Sequence, residues 1–135
     1  MKEDLVVEES EAGARLDQFL ASRIESLSRR KARVLIDIGG VFVDGKRTKV
    51  ASRTLKPGQQ VVAHLGGALA RAKGRTGQDA RARDEARLPR PQILFEDSHL
   101  LVLVKPAGLL SAPTPESDRG NLKSVLSQDF GPVHV

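Results

Sequence analysis

The stretch SRRKARVLIDIGG, residues 28–40, decides the fold of the first half of the chain. Ser28 is a favoured helix N-cap, because its hydroxyl can accept a hydrogen bond from an unpaired N–H group of the first turn. Apolar residues then recur at helical spacing: Ala32, Leu35 and Ile36. The pattern stops at Gly39-Gly40, and glycine commonly ends helices. The sequence therefore predicts a helix from Ser28 to about Ile38.

A small antiparallel sheet is predicted after this helix. Val41–Val43 indicates a short strand, and Asp44-Gly45 indicates a hairpin turn, since both positions of a type I′ turn need positive φ. Lys46–Val50 would form the returning strand. Pro57-Gly58 marks a second turn, and alternating apolar residues indicate a closing strand: Val61, Ala63 and Leu65.

Upstream, residues 15–27 predict an amphipathic helix, with apolar residues at helical spacing: Leu16, Phe19, Leu20, Ile24 and Leu27. Residues 15–65 are therefore expected to form an α+β module of two helices packed on an antiparallel sheet. Residues 1–14 hold one lysine against five acidic residues. We expect them to form an acidic N-terminal extension outside this module.

The second half of the chain divides into two further segments. Residues 66–90 are rich in Gly, Ala, Arg and Asp, which predicts a flexible basic linker. In residues 91–135 a strand at Ile93–Phe95, a turn and the apolar strand Leu100–Val104 predict the interior of a sheet. A short helix follows, indicated by Leu122, Val125 and Leu126, and then another strand at Val133–Val135. This segment is too short to cover both faces of such a sheet, so it is expected to be the incomplete start of a mixed α/β domain.

The net charge of +5 is unevenly distributed. Residues 15–65 carry eleven Lys or Arg against four acidic residues, and residues 66–90 carry seven against three. A basic surface on a small module indicates either a nucleic-acid partner or a solvated face that keeps the protein in solution.

Composition narrows the class of protein. The chain has no cysteine, which excludes a disulfide framework and a thiolate metal site. The acidic N-terminus is unlike a signal peptide, and no apolar run approaches the roughly 18 residues of a membrane span. We expect a cytoplasmic, monomeric protein with no membrane partner. Its three histidines lie far apart, so we expect no metal and no cofactor: His64, His99 and His134.

Cations fill the first turn of the second predicted helix, where the helix dipole is already positive. Each cation there costs on the order of 0.3–1 kcal/mol at low salt, so their presence favours a functional role over a purely structural one. Free N–H groups at a helix N-terminus also favour a phosphate. Lys46 and Arg47 could extend the same face, although lysines also commonly protect exposed strands. The candidate RNA-binding residues are Arg15, Ser28, Arg29, Arg30, Lys31, Arg33, Lys46 and Arg47.

Four motifs in this half resemble the RNA-binding module named after ribosomal small-subunit protein four: RLDQFL at 15–20, SRRKARVLI at 28–36, GVFVDG at 40–45 and LKPG at 55–58. The resemblance implies that the second helix and the hairpin hold structured RNA. The module has few aromatic residues on which single-stranded bases could stack. Recognition is therefore expected to depend on backbone shape and charge.

Residues 93–109, ILFEDSHLLVLVKPAGL, resemble the opening of the catalytic domain of RluA-type pseudouridine synthases. Those enzymes isomerise uridine to pseudouridine in structured RNA, often ribosomal RNA, without a cofactor. The resemblance implies that Lys105 and Pro106 give structural support near the active site. The family's nucleophile is the Asp of a His-Arg-Leu-Asp motif, which is expected beyond Val135. The aspartates of the second half match no catalytic position: Asp97, Asp118 and Asp129.

Two hypotheses of different classes follow. In the first, the chain is the N-terminal portion of a uridine-to-pseudouridine isomerase acting on structured, ribosomal RNA, and is inactive alone. In the second, it is a stand-alone ribosome-associated RNA-binding protein without catalytic activity. A remnant of a decayed gene is a third reading.

Overall fold

Two antiparallel sheets and four helices make up the described part of the chain, residues 1–72 and 88–135 of a computed structural model. The first sheet has the order β1-β4-β2-β3 and the second the order β5-β6. The elements of the first unit are β1 (Lys2–Val6), a 3-10 turn (Glu9–Glu11), α1 (Leu16–Arg23), α2 (Arg29–Asp37), β2 (Val41–Val43), β3 (Lys46–Arg47), β4 (Gln60–His64) and α3 (Gly67–Arg71). Those of the second are β5 (Gln92–Glu96), β6 (Leu101–Val104) and α4 (Leu122–Phe130). The α+β class predicted from the sequence is confirmed.

The core of the first unit is continuous and is made of aliphatic side chains and one phenylalanine. Leu16, Phe19 and Leu20 of α1 are buried with Leu35 and Ile36 of α2. The inward residues of the sheet join the same cluster: Val41, Val43, Val61 and Ala63. Burying this apolar area fixes α1 and α2 against each other and against the sheet.

The predicted signals at the ends of α2 are confirmed. Ser28 Oγ accepts a hydrogen bond from the Lys31 N–H at 3.2 Å, which makes Ser28 the N-cap. After the helix, Gly39 has a φ of +89°, a left-handed conformation that glycine adopts without strain. Asp44 and Gly45, at φ 49° and 77°, form the predicted hairpin turn.

Two predicted elements are shorter than expected. Helix α1 ends at Arg23, although Ile24 and Leu27 remain buried in the connection to α2. Strand β3 comprises only Lys46–Arg47, because β2 itself is only three residues long and offers little ladder to extend.

Residues 1–14 are more than the acidic extension predicted from composition. Strand β1 pairs with β4 along its whole length, from Lys2 opposite His64 to Val6 opposite Gln60. Val7 is buried in the module core. Charged residues are common on exposed edge strands because they discourage pairing with other chains. The charges of residues 1–14 therefore indicated an extension outside the module, although part of this segment is a strand.

The linker prediction for residues 66–90 is wrong at its beginning. Helix α3 starts at Gly67, and Ala68 and Leu69 pack against the module core, with Ala72 buried there. Leu88 packs against the second core. Residues 73–87 of the predicted linker lie outside the described residues.

The second unit is a two-stranded sheet with one helix. Leu109, Leu122 and Leu126 form its small core, against which Leu101 and Leu103 pack. Helix α4 begins at a capping box between Asn121 and Ser124.

The other face of this sheet carries the exposed side chains of Phe95, Val102 and Val104. The prediction that Leu100–Val104 lies in a sheet interior is therefore met on one face only. Residues 133–135 form no strand within the described part of the chain, and Val133 packs against the small core instead. None of the described helices is long and apolar enough to cross a membrane.

Candidate nucleic-acid interface

The carboxylate of Asp17 is the centre of the basic surface, and its side chain is fully buried. Arg15 donates two hydrogen bonds to this carboxylate, from Nε to Oδ1 and from Nη2 to Oδ2, both 3.1 Å long. Arg33 donates from Nε to Oδ2 at 3.0 Å, and a terminal nitrogen of Arg29 lies 3.8 Å from the same oxygen. We call Arg15, Arg29, Arg33 and Asp17 the arginine cluster.

Helix geometry explains why these residues meet. Asp17 lies in the first turn of α1, where its Oδ1 also accepts the Gln18 N–H at 2.9 Å. Arg29 and Arg33 are four residues apart on α2, so they share one face of that helix. Packing of α1 on α2 brings this face against the start of α1, and Arg15 reaches the carboxylate from the residue before the helix.

Burial and hydrogen bonding have opposite effects on the pKa of Asp17, and hydrogen bonding has the larger effect. Burial alone would raise the pKa, because it disfavours the charged form. Hydrogen bonds from Arg15, Arg33 and the Gln18 backbone outweigh burial and hold the pKa of Asp17 below its ordinary value. Asp17 is therefore an anion at neutral pH, buried and charge-paired.

The arginines themselves remain accessible. The side chains of Arg15, Arg29 and Arg33 are 41%, 49% and 49% exposed. A guanidinium group has five N–H donors, and within residues 1–72 and 88–135 Arg33 uses only its Nε on Asp17. Three cations against one anion leave the cluster positive, with outward donors that can meet a phosphate.

Arg30 and Lys31 add to this surface from the first turn of α2, and both are exposed. Ser28 is exposed too, but its hydroxyl is engaged in the cap. Five of the candidate residues thus lie on one surface around the N-terminus of α2, and their role in RNA binding stays a prediction: Arg15, Arg29, Arg30, Lys31 and Arg33. The role of Ser28 shown by the structure is to cap this helix.

Arg47 does not join the arginine cluster, and its neighbour Lys46 is exposed on β3. Arg47 Nε donates to the carbonyl of Gly39 at 2.7 Å, beyond the C-terminal end of α2. Helix α2 is nine residues long, so its two ends are about 13 Å apart. The Arg47 guanidinium also lies 5.0 Å above the Phe42 ring and donates to the carbonyl of Thr114. Arg47 therefore connects the hairpin to the second unit, and the prediction that it extends the same basic face is corrected.

Residues 114–119, which we call the docking segment, lie against this second end of the module. Asp118 accepts hydrogen bonds from Lys49 Nζ, and its N–H donates to the carbonyl of Ile38 at 3.0 Å. Arg119 pairs with the carboxylate of Asp37. The Ala68 N–H donates to Glu116 at 3.3 Å. The contacts leave little room, because a Cβ added at Gly40 would lie 3.0 Å from the Glu116 carbonyl oxygen.

Lys105 and Pro106 stabilise the loop that follows β6. Lys105 Nζ donates to the carbonyl of Leu109 at 2.6 Å, and the Leu109 N–H donates to the Pro106 carbonyl at 3.3 Å. These two hydrogen bonds link the beginning of the loop to its end. Its position relative to an active site stays a prediction.

The three aspartates of the second half have local contacts. Asp97 accepts the backbone N–H groups of His99 and Leu100, both at 2.7 Å, which lower its pKa. Asp118 pairs with Lys49, and Asp129 pairs with Arg90 at 2.7 Å. In the part of the chain that the structure describes, no three His, Cys, Asp or Glu residues are grouped to hold a metal ion.

Sequence reasoning missed Asp17 as a site residue. The apolar pattern of α1 contained the signal, because Asp17 lies between Leu16 and Phe19 on the buried side of the helix. A buried acidic residue requires a cationic or hydrogen-bonding partner, and the arginines near the start of α2 were the available cations.

Comparison with known proteins agrees with this geometry: residues 14–61 match the S4 domain family. This region of the chain is an S4 domain. It contains α1, α2, β2 and β3 and ends within β4, so the arginine cluster lies inside the S4 domain, whereas β1 lies outside the matched residues.

The same S4 region is similar to the small ribosomal subunit protein uS4 of Staphylococcus saprophyticus, with 46% identity over 48 residues. That match covers 36% of this chain and 24% of the ribosomal protein.

Longer matches are to RNA pseudouridine synthases. Ribosomal large subunit pseudouridine synthase D of Nitrosomonas europaea is 37% identical over 124 residues, 91% of this chain and 33% of the relative. An uncharacterized RNA pseudouridine synthase of Aquifex aeolicus is 29% identical over 117 residues, 83% of this chain and 32% of the relative. The chain thus spans about a third of the length of these relatives.

Proposed function

We propose that this chain binds structured RNA through the arginine cluster and the N-terminus of α2, as the N-terminal portion of an RNA pseudouridine synthase. The observation that carries the RNA-binding part is the set of half-exposed guanidinium groups held beside a helix N-terminus. Free N–H groups and the dipole at that terminus add to the attraction for phosphate. Arg30 and Lys31 widen the positive surface around it.

Structured RNA fits this surface better than a single strand. Stacking of unpaired bases needs exposed aromatic rings, whereas Phe19 is buried and Phe42 lies under the guanidinium of Arg47. Phosphate contacts from a rigid array suit a folded backbone whose phosphates have fixed spacing. The names of several relatives include the large ribosomal subunit, which supports ribosomal RNA as the target.

The second unit supports the isomerase part of the proposal. Strands β5 and β6 leave Phe95, Val102 and Val104 exposed on one face, which the remainder of a catalytic domain would cover. Lys105 and Pro106 would shape a loop near its active site. In such an enzyme a uridine leaves the base stack, and an aspartate of the His-Arg-Leu-Asp motif, expected beyond Val135, attacks it. We place this activity in the cytoplasm.

A stand-alone ribosome-associated protein is the second candidate, favoured by the match to uS4. A simple binding module has no need of β5, β6 and α4, nor of a segment docked on its surface, so we prefer the enzyme. The coding sequence after Val135 discriminates between them, because a His-Arg-Leu-Asp stretch there supports the enzyme and a stop codon supports the binding protein.

Binding is tested with the whole 135-residue chain and a fluorescein-labelled stem–loop RNA from the large ribosomal subunit, by fluorescence anisotropy over a series of KCl concentrations. We expect binding that weakens steeply with salt, because phosphate contacts release counterions. Unstructured poly(U) should bind more weakly than the stem–loop. Equal binding of both RNAs would contradict the preference for structure, and no binding of either would contradict the proposed function.

A further inference from the structure

We propose that Asp17 is the positioning residue of the RNA interface, which holds Arg15, Arg29 and Arg33 as one array that closes on a phosphate of the RNA backbone. This inference rests on the proposed function and deepens it. Asp17 is buried, so it would act on RNA binding through the arginines and not by contact with the RNA.

The geometry of the cluster supports a positioning role. All three arginines meet the same carboxylate, at 3.0–3.8 Å, two of them from α2 and the third from the residue before α1. Their guanidinium groups are therefore gathered around one point at the protein surface. Because each side chain is still about half exposed, one phosphate can meet donors from more than one arginine.

Pairing with Asp17 also restricts the rotamers of the arginine side chains before RNA binds. A free arginine side chain has many rotamers and loses that freedom when it binds. Because Asp17 already restricts these side chains in the free protein, RNA binding incurs a smaller loss of side-chain entropy. Arg30, in the same turn of α2 as Arg29, provides the contrast, because it is exposed and is not among the arginines paired with Asp17 within the described residues.

Charge alone predicts the opposite effect for loss of Asp17, and this makes the inference testable. Asp17→Asn raises the net charge of the chain by one, which by itself strengthens attraction to RNA. If Asp17 positions the arginines, the same change weakens binding, because the array loses its anchor. Asp4→Asn is the matched control, since it makes the same chemical change on the exposed face of β1.

The experiment measures binding of the labelled stem–loop RNA to wild-type, Asp17→Asn and Asp4→Asn chains across a KCl series. We expect Asp17→Asn to bind about tenfold more weakly, the effect of re-ordering one or two long side chains. Its salt slope should fall by about 0.7–0.9 for each phosphate that the variant no longer neutralises. Asp4→Asn should bind at least as tightly as the wild type. Circular dichroism shows whether each variant is folded.

The results of this experiment distinguish a wrong positioning role for Asp17 from a wrong proposed function. If the wild type binds and folded Asp17→Asn binds as tightly as Asp4→Asn, the positioning role is wrong and the proposed function stands. If the wild type does not bind, the proposed function fails.

Should Asp17→Asn not fold, ¹⁵N relaxation of the arginine Nε groups in the wild type decides. Ordered Arg15 and Arg33 beside a mobile Arg30 support the inference, and equal mobility of all three overturns it.

Discussion

The ammonium group of Lys49 lies 2.9 Å from both carboxylate oxygens of Asp118, a residue 69 positions further along the chain. Together with the pair between Asp37 and Arg119, this contact joins the docking segment to the S4 domain. Lys49 is thereby engaged within the protein, and Arg47 is engaged by the carbonyls of Gly39 and Thr114. The RNA surface that we propose is therefore narrower than the distribution of basic residues indicates, and it is centred on the N-terminal end of α2.

Reversing the charge of Asp118 should loosen this docking. In Asp118→Lys, two ammonium groups would face each other, and we expect a loss of about 1 kcal/mol in unfolding free energy, the upper range for a partly exposed pair. Differential scanning calorimetry measures the loss. The charge-swapped double variant Lys49→Glu/Asp118→Lys should recover part of it. A double variant no more stable than Asp118→Lys would show that the pair contributes nothing.

Exposed cations of the first turn of α2 should contribute to RNA binding but not to stability. In Arg30→Gln/Lys31→Gln, the salt slope of RNA binding should fall by about 0.7–0.9 for each phosphate left without its cation. The melting temperature should stay the same or rise slightly, because two cations leave the positive end of the helix dipole. The control Lys2→Gln/Lys56→Gln removes the same charge elsewhere on the module. If both double variants reduce the slope equally, the attraction depends on net charge and not on a site.

Stability in acid should depend on Asp17. Its pKa in the folded chain lies below the ordinary value of 3.8, so its ionised form stabilises the fold fully above that value, and this stability is lost as pH falls through the lower, folded pKa. Asp17→Asn should unfold about 1.5–3 kcal/mol more easily at pH 7, the range for hydrogen bonds to charged groups. Urea titrations from pH 7 to pH 2 should show the difference shrinking below pH 3.8. A difference that persists unchanged at the acid end would contradict the assignment.

Gly40 should tolerate no side chain. An added Cβ would lie 2.7 Å from Leu35 Cδ1 and 3.0 Å from the Glu116 carbonyl oxygen, and we expect Gly40→Ala to cost about 1–3 kcal/mol through overpacking. Gly67→Ala is the control, because the atom it would meet is the end of the flexible Arg71 side chain. Thermal melts of both variants measure the difference. Equal losses would mean that the close contact at Gly40 is not what matters.

The chain by itself should not convert uridine to pseudouridine. The reaction needs a carboxylate placed beside an extruded base, and the aspartates of the second half are engaged in a turn or in ion pairs: Asp97, Asp118 and Asp129. Incubation with ribosomal RNA transcripts, followed by mass spectrometry of nucleosides, should give no turnover above a protein-free control. Turnover abolished by replacing one of these aspartates would show that the active site has been misplaced.

Local chemistry made much of the S4 domain predictable. The cap at Ser28, the stop at Gly39-Gly40 and the turn at Asp44-Gly45 depend on residues adjacent in sequence, and the structure reproduces all three. The same holds for the cations around the start of α2, whose positions follow from the start of the helix.

Contacts between distant residues could not be predicted in the same way. The pairing of β1 with β4 depends on register between segments about sixty residues apart, and the acidic composition of the first fourteen residues concealed it. Arg47 was misplaced for a related reason. Its position after the hairpin turn gives its strand, whereas its partners, Gly39 and Thr114, are fixed by the packing of the whole chain.

The position of β1 at the outside of β4 has a consequence for folding during synthesis. Lys2 pairs with His64, so β1 leaves the ribosome well before β4 and has no partner until this last strand of the module has been made. Closing so long a loop is slow compared with forming α1 and α2. Until then β1 is an unpaired strand, and its three consecutive charged residues, Lys2, Glu3 and Asp4, disfavour pairing with a neighbouring nascent chain.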